Sequence, residues 1–231
     1  MDEFSHTPEA LEAIVRWPRN LEKLSIFPSI VVDSYYATQP LFTGWDFTTL
    51  QPTLETQMAS LRELAILALY RDLDRMVGDI DNLDLSGFAK LEVLTLPSFQ
   101  TGYDTRYIPR ILAPNLRIFN WLVPFNSTEE WVIPEDWVIP QEGMSPEEWM
   151  IPQDWVASEE RPEGFDQKQE DWVRAMVDFA AKKQQRLREI CIAFKHEERG
   201  RGDDGSRLVH PCERLEKVAR DSEEFGIKIR Y

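Results

Sequence analysis

Leu91-Glu92-Val93-Leu94-Thr95-Leu96 decides how this chain folds. Leu91, Leu94 and Leu96 make the spacing LxxLxL, whose last two leucines lie two residues apart. Alternate residues of a strand share a sheet face, so Leu94 and Leu96 enter a core while Val93 and Thr95 point away from it. The spacing recurs at Leu21/Leu24/Ile26, Leu61/Leu64/Ile66, Leu116/Phe119/Trp121 and Leu187/Ile190/Ile192. One such strand cannot bury its apolar side alone, but a stack of them can. Strands are therefore expected over about 23–27, 63–67, 93–97, 117–122 and 188–194, with an alternating strand in Ile227–Tyr231 closing the chain.

Outward from these strands the pattern changes to helical spacing. Thr7 and Pro8 open a segment to Trp17 with Leu11, Ile14 and Val15 on one side, and Pro18 ends it. Leu50, Leu54 and Met58 follow a helical period before the second strand. Leu69–Val77 reads as a loop or short helix, and 98–113 as a loop anchored by Ile108, Ile111 and Leu112. Gln167–Gln185 reads as a helix with Trp172, Met176 and Phe179 on its apolar face, Val173 and Ala180 beside them. Pro211–Glu224 reads as another, with Leu215, Val218 and Ala219 inward and Gly226 as its cap.

The chain has 231 residues and a hydrophobic content of 42%, enough for a core. Its net charge of −15 argues against nucleic acid as the main partner. The acid is concentrated: residues 129–172 hold 14 acids and 2 bases, whereas 173–231 hold 14 bases and 11 acids. That acidic block carries a nested duplication. Ser127-Thr128-Glu129-Glu130-Trp131 returns as Ser145-Pro146-Glu147-Glu148-Trp149, and a six-residue unit places Trp131, Trp137, Trp149 and Trp155. Proline in this unit excludes a long helix or a central strand. Residues 124–168 are thus expected to form an acidic, Trp-rich insertion loop within one domain spanning 1–231.

Chemistry-bearing motifs are sparse. His6, His196 and His210 lack ligands at metal-binding spacing, and no phosphate-binding glycine loop or activated nucleophile is recognisable. Arg201-Gly202-Asp203 and the sequon Asn126-Ser127-Thr128 read as chance matches. No catalytic residue, metal or cofactor is assigned. Cys191 and Cys212 give no disulfide framework. Met1-Asp2-Glu3-Phe4 does not resemble a secretory leader, and no apolar run is long enough to cross a membrane. The expected location is intracellular, cytoplasmic or nuclear.

LxxLxL at strand starts is the core signature of a leucine-rich repeat. The expected fold is α/β, an irregular leucine-rich-repeat solenoid with a mainly parallel sheet of about six short strands. The chain also resembles the leucine-rich-repeat region of F-box-like proteins of filamentous fungi. The likeness rests on Leu50-Gln51-Pro52-Thr53-Leu54 running into Gln57–Leu64, on Leu112-Ala113-Pro114-Asn115-Leu116-Arg117, and on His210–Ala219 with Gly226–Tyr231. That resemblance implies recognition of a protein substrate for a cullin–RING ubiquitin ligase. Residues 1–20 hold one helix and no F-box, so a cullin-ligase adaptor is a partner only if an F-box is supplied elsewhere.

The strand residues between the buried ones are expected to line a concave, partner-binding face: Lys23, Ser25, Glu63, Ala65, Val93, Thr95, Ile118, Asn120, Glu189 and Cys191. The competing reading is a solvated sheet. For Trp131, Trp137, Trp149 and Trp155 the choices are anchors for a basic protein surface, a tolerated surface duplication, or an acidic segment lying near Lys182/Lys183/Arg186/Arg188. The expected function is non-catalytic protein binding. The alternatives are a truncated ubiquitin-ligase substrate receptor or a degenerate gene copy.

Overall fold

The structure, a computed structural model, describes residues 8–26, 46–66, 79–123, 165, 167–183, 185–194 and 211–231. The four tryptophans of the acidic duplication, Leu69–Val77 and the Gly-rich stretch after residue 196 lie outside these residues. Six strands, β1 (Lys23–Ile26), β2 (Glu63–Ile66), β3 (Val93–Pro97), β4 (Ile118–Val123), β5 (Glu189–Phe194) and β6 (Lys228–Arg230), form one sheet in the order of the chain. Every neighbouring pair is parallel. Each strand begins within a residue or so of the position expected from LxxLxL.

The register lines up the repeated leucines. Leu24, Leu64, Leu94, Phe119, Ile190 and Ile229 sit on successive rungs, and Ile26 and Ile66 follow the same alignment beside them. From β2 to β5 this ladder is sealed: Leu64, Leu94, Phe119 and Ile190 are at most 1% exposed. The main chain repeats with it. The carbonyl of the residue just before one strand accepts two consecutive N–H groups of the next rung: Glu22 from Arg62 and Glu63, Arg62 from Glu92 and Val93, Glu92 from Arg117 and Ile118, Arg117 from Arg188 and Glu189. The same local geometry thus recurs along the sheet despite unequal spacing in sequence.

Among the described residues a helix precedes β1 and helices stand in every connection but that from β2 to β3, which shows a 3-10 turn (Asp79–Asn82); their apolar residues pack on the ladder side. α1 (Pro8–Arg16) inserts Val15 and leaves Trp17, just past its end, 86% exposed. α2 (Phe47–Glu55) starts at Asp46, whose carboxylate accepts from Thr49 N at 2.6 Å while Thr49 Oγ1 accepts from Asp46 N at 3.1 Å. This reciprocal cap satisfies two otherwise orphaned donors. Leu50 and Leu54 are buried as their spacing requires, but Met58 falls in the turn beyond the helix and is 40% exposed. The stretch 98–113 is not a plain loop: it holds α3 (Ser98–Thr101), a 3-10 turn (Thr105–Tyr107) and α4 (Ile108–Ile111). Its expected anchors Ile108, Ile111 and Leu112 are buried.

α5 (Gln167–Lys182) buries Trp172, Val173, Met176, Val177 and Ala180, with Phe179 at the margin of the core. Trp172 stacks on Trp121 at 4.7 Å between ring centroids, and Tyr103 meets Trp121 edge-on at 5.7 Å. Edge-on and offset contacts suit the ring quadrupoles and add to burial. α6 (Pro211–Glu223) packs on β6, with Leu215 and Val218 inward. Gly226, at φ +70°, turns the chain from α6 into β6, and Ile227 N bonds back to Ser222 O at 3.2 Å. A positive φ at the residue closing a helix is what favours glycine there.

Candidate functional site

Strand alternation leaves a second sheet face, and the register orders it into rows. The first row is Lys23, Glu63, Val93, Ile118, Glu189 and Lys228; the second is Ser25, Ala65, Thr95, Asn120, Cys191 and Arg230. A third, shorter row holds Pro97, Leu122 and Ala193. All ten side chains expected on this face are therefore brought together. Lys228, Arg230, Pro97, Leu122 and Ala193 join them, and the sixth strand's alternation was the signal that could have placed the first two.

The rows differ from middle to edge. In the middle, Val93 and Ile118 are half-buried neighbours, and Asn120 Nδ2 donates to Thr95 Oγ1 at 3.0 Å. Thr95 and Leu122 are more enclosed, at 6% and 7% exposure. Near one edge Lys23 Nζ pairs with Glu63 at 3.0 Å; near the other Arg230 Nε pairs with Glu189 at 2.8 Å. The middle of the face is thus more apolar and more enclosed than its charged margins. Both pairs are partly buried, with Glu63 and Glu189 the more enclosed partners.

Cys191 stands between Asn120 and Arg230 in the second row, and its thiol donates to Glu189 Oε1 at 3.2 Å. Burial, and then the Glu189 carboxylate, push the thiol up to about 12. It is protonated and unreactive near neutrality, because the thiolate is the nucleophile. Among the described residues no group of three or more His, Cys, Asp or Glu side chains is placed to hold a metal ion, and no helix is long and apolar enough to cross a membrane.

Three glutamines that sequence patterning passes over hold the rungs together behind this face. Gln57, 5% exposed, donates from Nε2 to Val15 O at 2.8 Å and Pro18 O at 3.1 Å. Its Oε1 accepts from Leu21 N at 3.0 Å and Ser60 Oγ at 2.9 Å. Gln51 exchanges two bonds with the Asp84 backbone, at 2.9 and 3.0 Å, and Gln185 Nε2 donates to Leu112 O at 3.3 Å. Farther along, Glu170 accepts from Arg174 Nε at 2.9 Å and Arg214 Nη1 at 3.1 Å, and Arg174 Nη1 reaches Asp221 at 2.7 Å, which ties α5 to α6.

No protein-family model, curated protein or solved structure matches this chain.

Proposed function

We propose that this chain is an irregular leucine-rich-repeat solenoid that acts as a non-catalytic protein-binding module, docking its partner on the strand face opposite the leucine ladder. The observation that carries this reading is the ordered face itself. Val93 and Ile118, with the Asn120–Thr95 pair, form a middle bounded by Lys23–Glu63 and Glu189–Arg230. Fixed strands present these groups without the entropy cost of ordering a loop. Shape and charge complementarity then select the partner.

Size constrains the contact. Strands about 4.8 Å apart, with same-face residues about 6.8 Å apart along each, give the three rows roughly 500 Å². A standard interface takes about 800 Å² from each partner. A lasting complex therefore uses the strand face as its centre and neighbouring surface as its rim.

The test is affinity purification of the full chain beside its Asn120→Arg variant, with partners identified by mass spectrometry. The longer guanidinium side chain would put a charge and extra bulk in the middle of the face. Expected is loss of the specific partners with an unchanged thermal melt. Equal recovery of the same partners by both chains would refute the placement.

A further inference from the structure

We infer that the outer edge of β1 is a self-association surface: two copies of this chain join there about a two-fold axis normal to the sheet, with β1 antiparallel to its copy. The ladder is closed at one end and open at the other. β6 and β1 are both edge strands. Ile227 and Ile229, at the β6 end, are 2% and 7% exposed beside α6. Leu21, Leu24 and Ile26, at the β1 end, are only partly buried. Ile14 and Trp17 stand three residues apart, on one side of α1, and are 41% and 86% exposed. The open end of a repeat stack exposes core and calls for a cap.

The edge of β1 also has backbone groups to pair. Glu22 O faces β2, where it accepts from Arg62 and Glu63. Bonding sides alternate along a strand, so the N–H and C=O of Ser25 face away from β2. With the axis at Ser25, each Ser25 exchanges two N–H···O bonds with its copy. Leu24 then stands opposite the copy's Ile26 on the ladder side, and the apolar ladder continues across the junction. Each α1 comes to the same side of the enlarged sheet.

Charge selects a copy as the occupant. Residues 8–26 hold three acids (Glu9, Glu12, Glu22) and three bases (Arg16, Arg19, Lys23), so this end is neutral in a chain of net charge −15. A surface that meets its own copy needs that balance, because net charge of one sign would repel across the contact. The head-to-tail alternative joins β1 to the β6 edge of another copy. It would extend the existing rows and set Lys23 beside Lys228 and Ser25 beside Arg230, a like-charge contact in a chain of copies that does not close. A strand edge about 14 Å long and an exposed tryptophan of roughly 200 Å² fall short of the about 800 Å² a standard interface takes from each partner, which puts the dimer in the micromolar range. Residues 27–45, which follow β1, are the competing cover, and the oligomeric state decides between them and a copy.

The test is sedimentation velocity of the full chain across a hundredfold range of micromolar concentrations. Expected is a monomer–dimer equilibrium with no larger species, weakened at least tenfold by Trp17→Glu and by Ile14→Glu, both at exposed positions. In a Cys212→Ser background, Ser25→Cys should link two copies through a short bis-maleimide, since antiparallel bonded neighbours stand about 5.5 Å apart. Lys217→Cys, on α6 at the other end, should not. Asn120→Arg should leave the dimer unchanged, which separates this edge from the strand face. A monomer throughout, species beyond a dimer, or a dimer indifferent to both glutamate variants and not linked at Ser25 would each overturn the inference.

Discussion

Gln57→Leu should selectively loosen the first rung. In the parent, all four hydrogen-bonding positions of the Gln57 amide are used: two carbonyls accept its N–H groups, and its oxygen accepts from a backbone N–H and a hydroxyl. Leucine has similar size, so no large cavity forms. What changes is that Val15 O, Pro18 O and Leu21 N lose their partner. Each buried group left unpaired costs about 1–3 kcal/mol. Leu21, Leu24 and Ile26 are only partly buried, so water reaches some of the freed groups, and the lower end of that range applies. The sum is about 3 kcal/mol, a large share of the roughly 5–15 kcal/mol of a typical domain. Hydrogen exchange followed by mass spectrometry resolves where it falls. Amides in 8–26 should exchange at least tenfold faster, while those in 91–123 change little. Denaturant unfolding should show the corresponding loss. A loss under about 1 kcal/mol with unchanged exchange in 8–26 would refute the view that this amide clamps the rungs.

Leu94→Ala removes a fully buried side chain from the centre of the ladder, so it should cost about 2–5 kcal/mol in denaturant unfolding; a cost near zero would mean the ladder is not tightly packed there. In a Cys212→Ser background, Cys191 should react with a disulfide reagent at pH 8 far more slowly in the folded than in the unfolded chain. Because its folded pKa is raised, the folded state keeps a proton that the unfolded state releases above about 9. Cys191 therefore contributes stability that is complete below that pH and declines from there towards about 12. Cys191→Ala should flatten that decline in a pH series of melts.

The strands were legible because the signal is local. Two apolar residues at i and i+2, preceded by a leucine three residues earlier, settle both the strand and its buried side, and the non-ladder residues follow by alternation. Parallel pairing in chain order then assembles Lys23, Ser25, Glu63, Ala65, Val93, Thr95, Ile118, Asn120, Glu189 and Cys191 without further information. The failures have equally specific causes. α3 and α4 contain four residues each, barely one turn, which is too short for a 3.6-residue period to show. Val177 was passed over because a helix wedged between a sheet and α6 buries a wider arc than a single stripe. Gln51, Gln57 and Gln185 belong to a residue type usually found at the surface, and their role depends on distances between rungs that no local pattern encodes. Lys182, Lys183, Arg186 and Arg188 already stand together in the sequence, whereas Arg117 becomes a neighbour of Arg188 only after the sheet is built.

Leu91 and Leu116 are 25 residues apart and Leu116 and Leu187 are 71, yet the strands they introduce are joined by the same in-register parallel pairing. Closing the longer connection costs only about 1 kcal/mol more in chain entropy. An architecture with this indifference to connection length is a permissive host. New sequence can be spliced in where a strand exits and diversify there under selection, while the pairing on either side keeps its alignment.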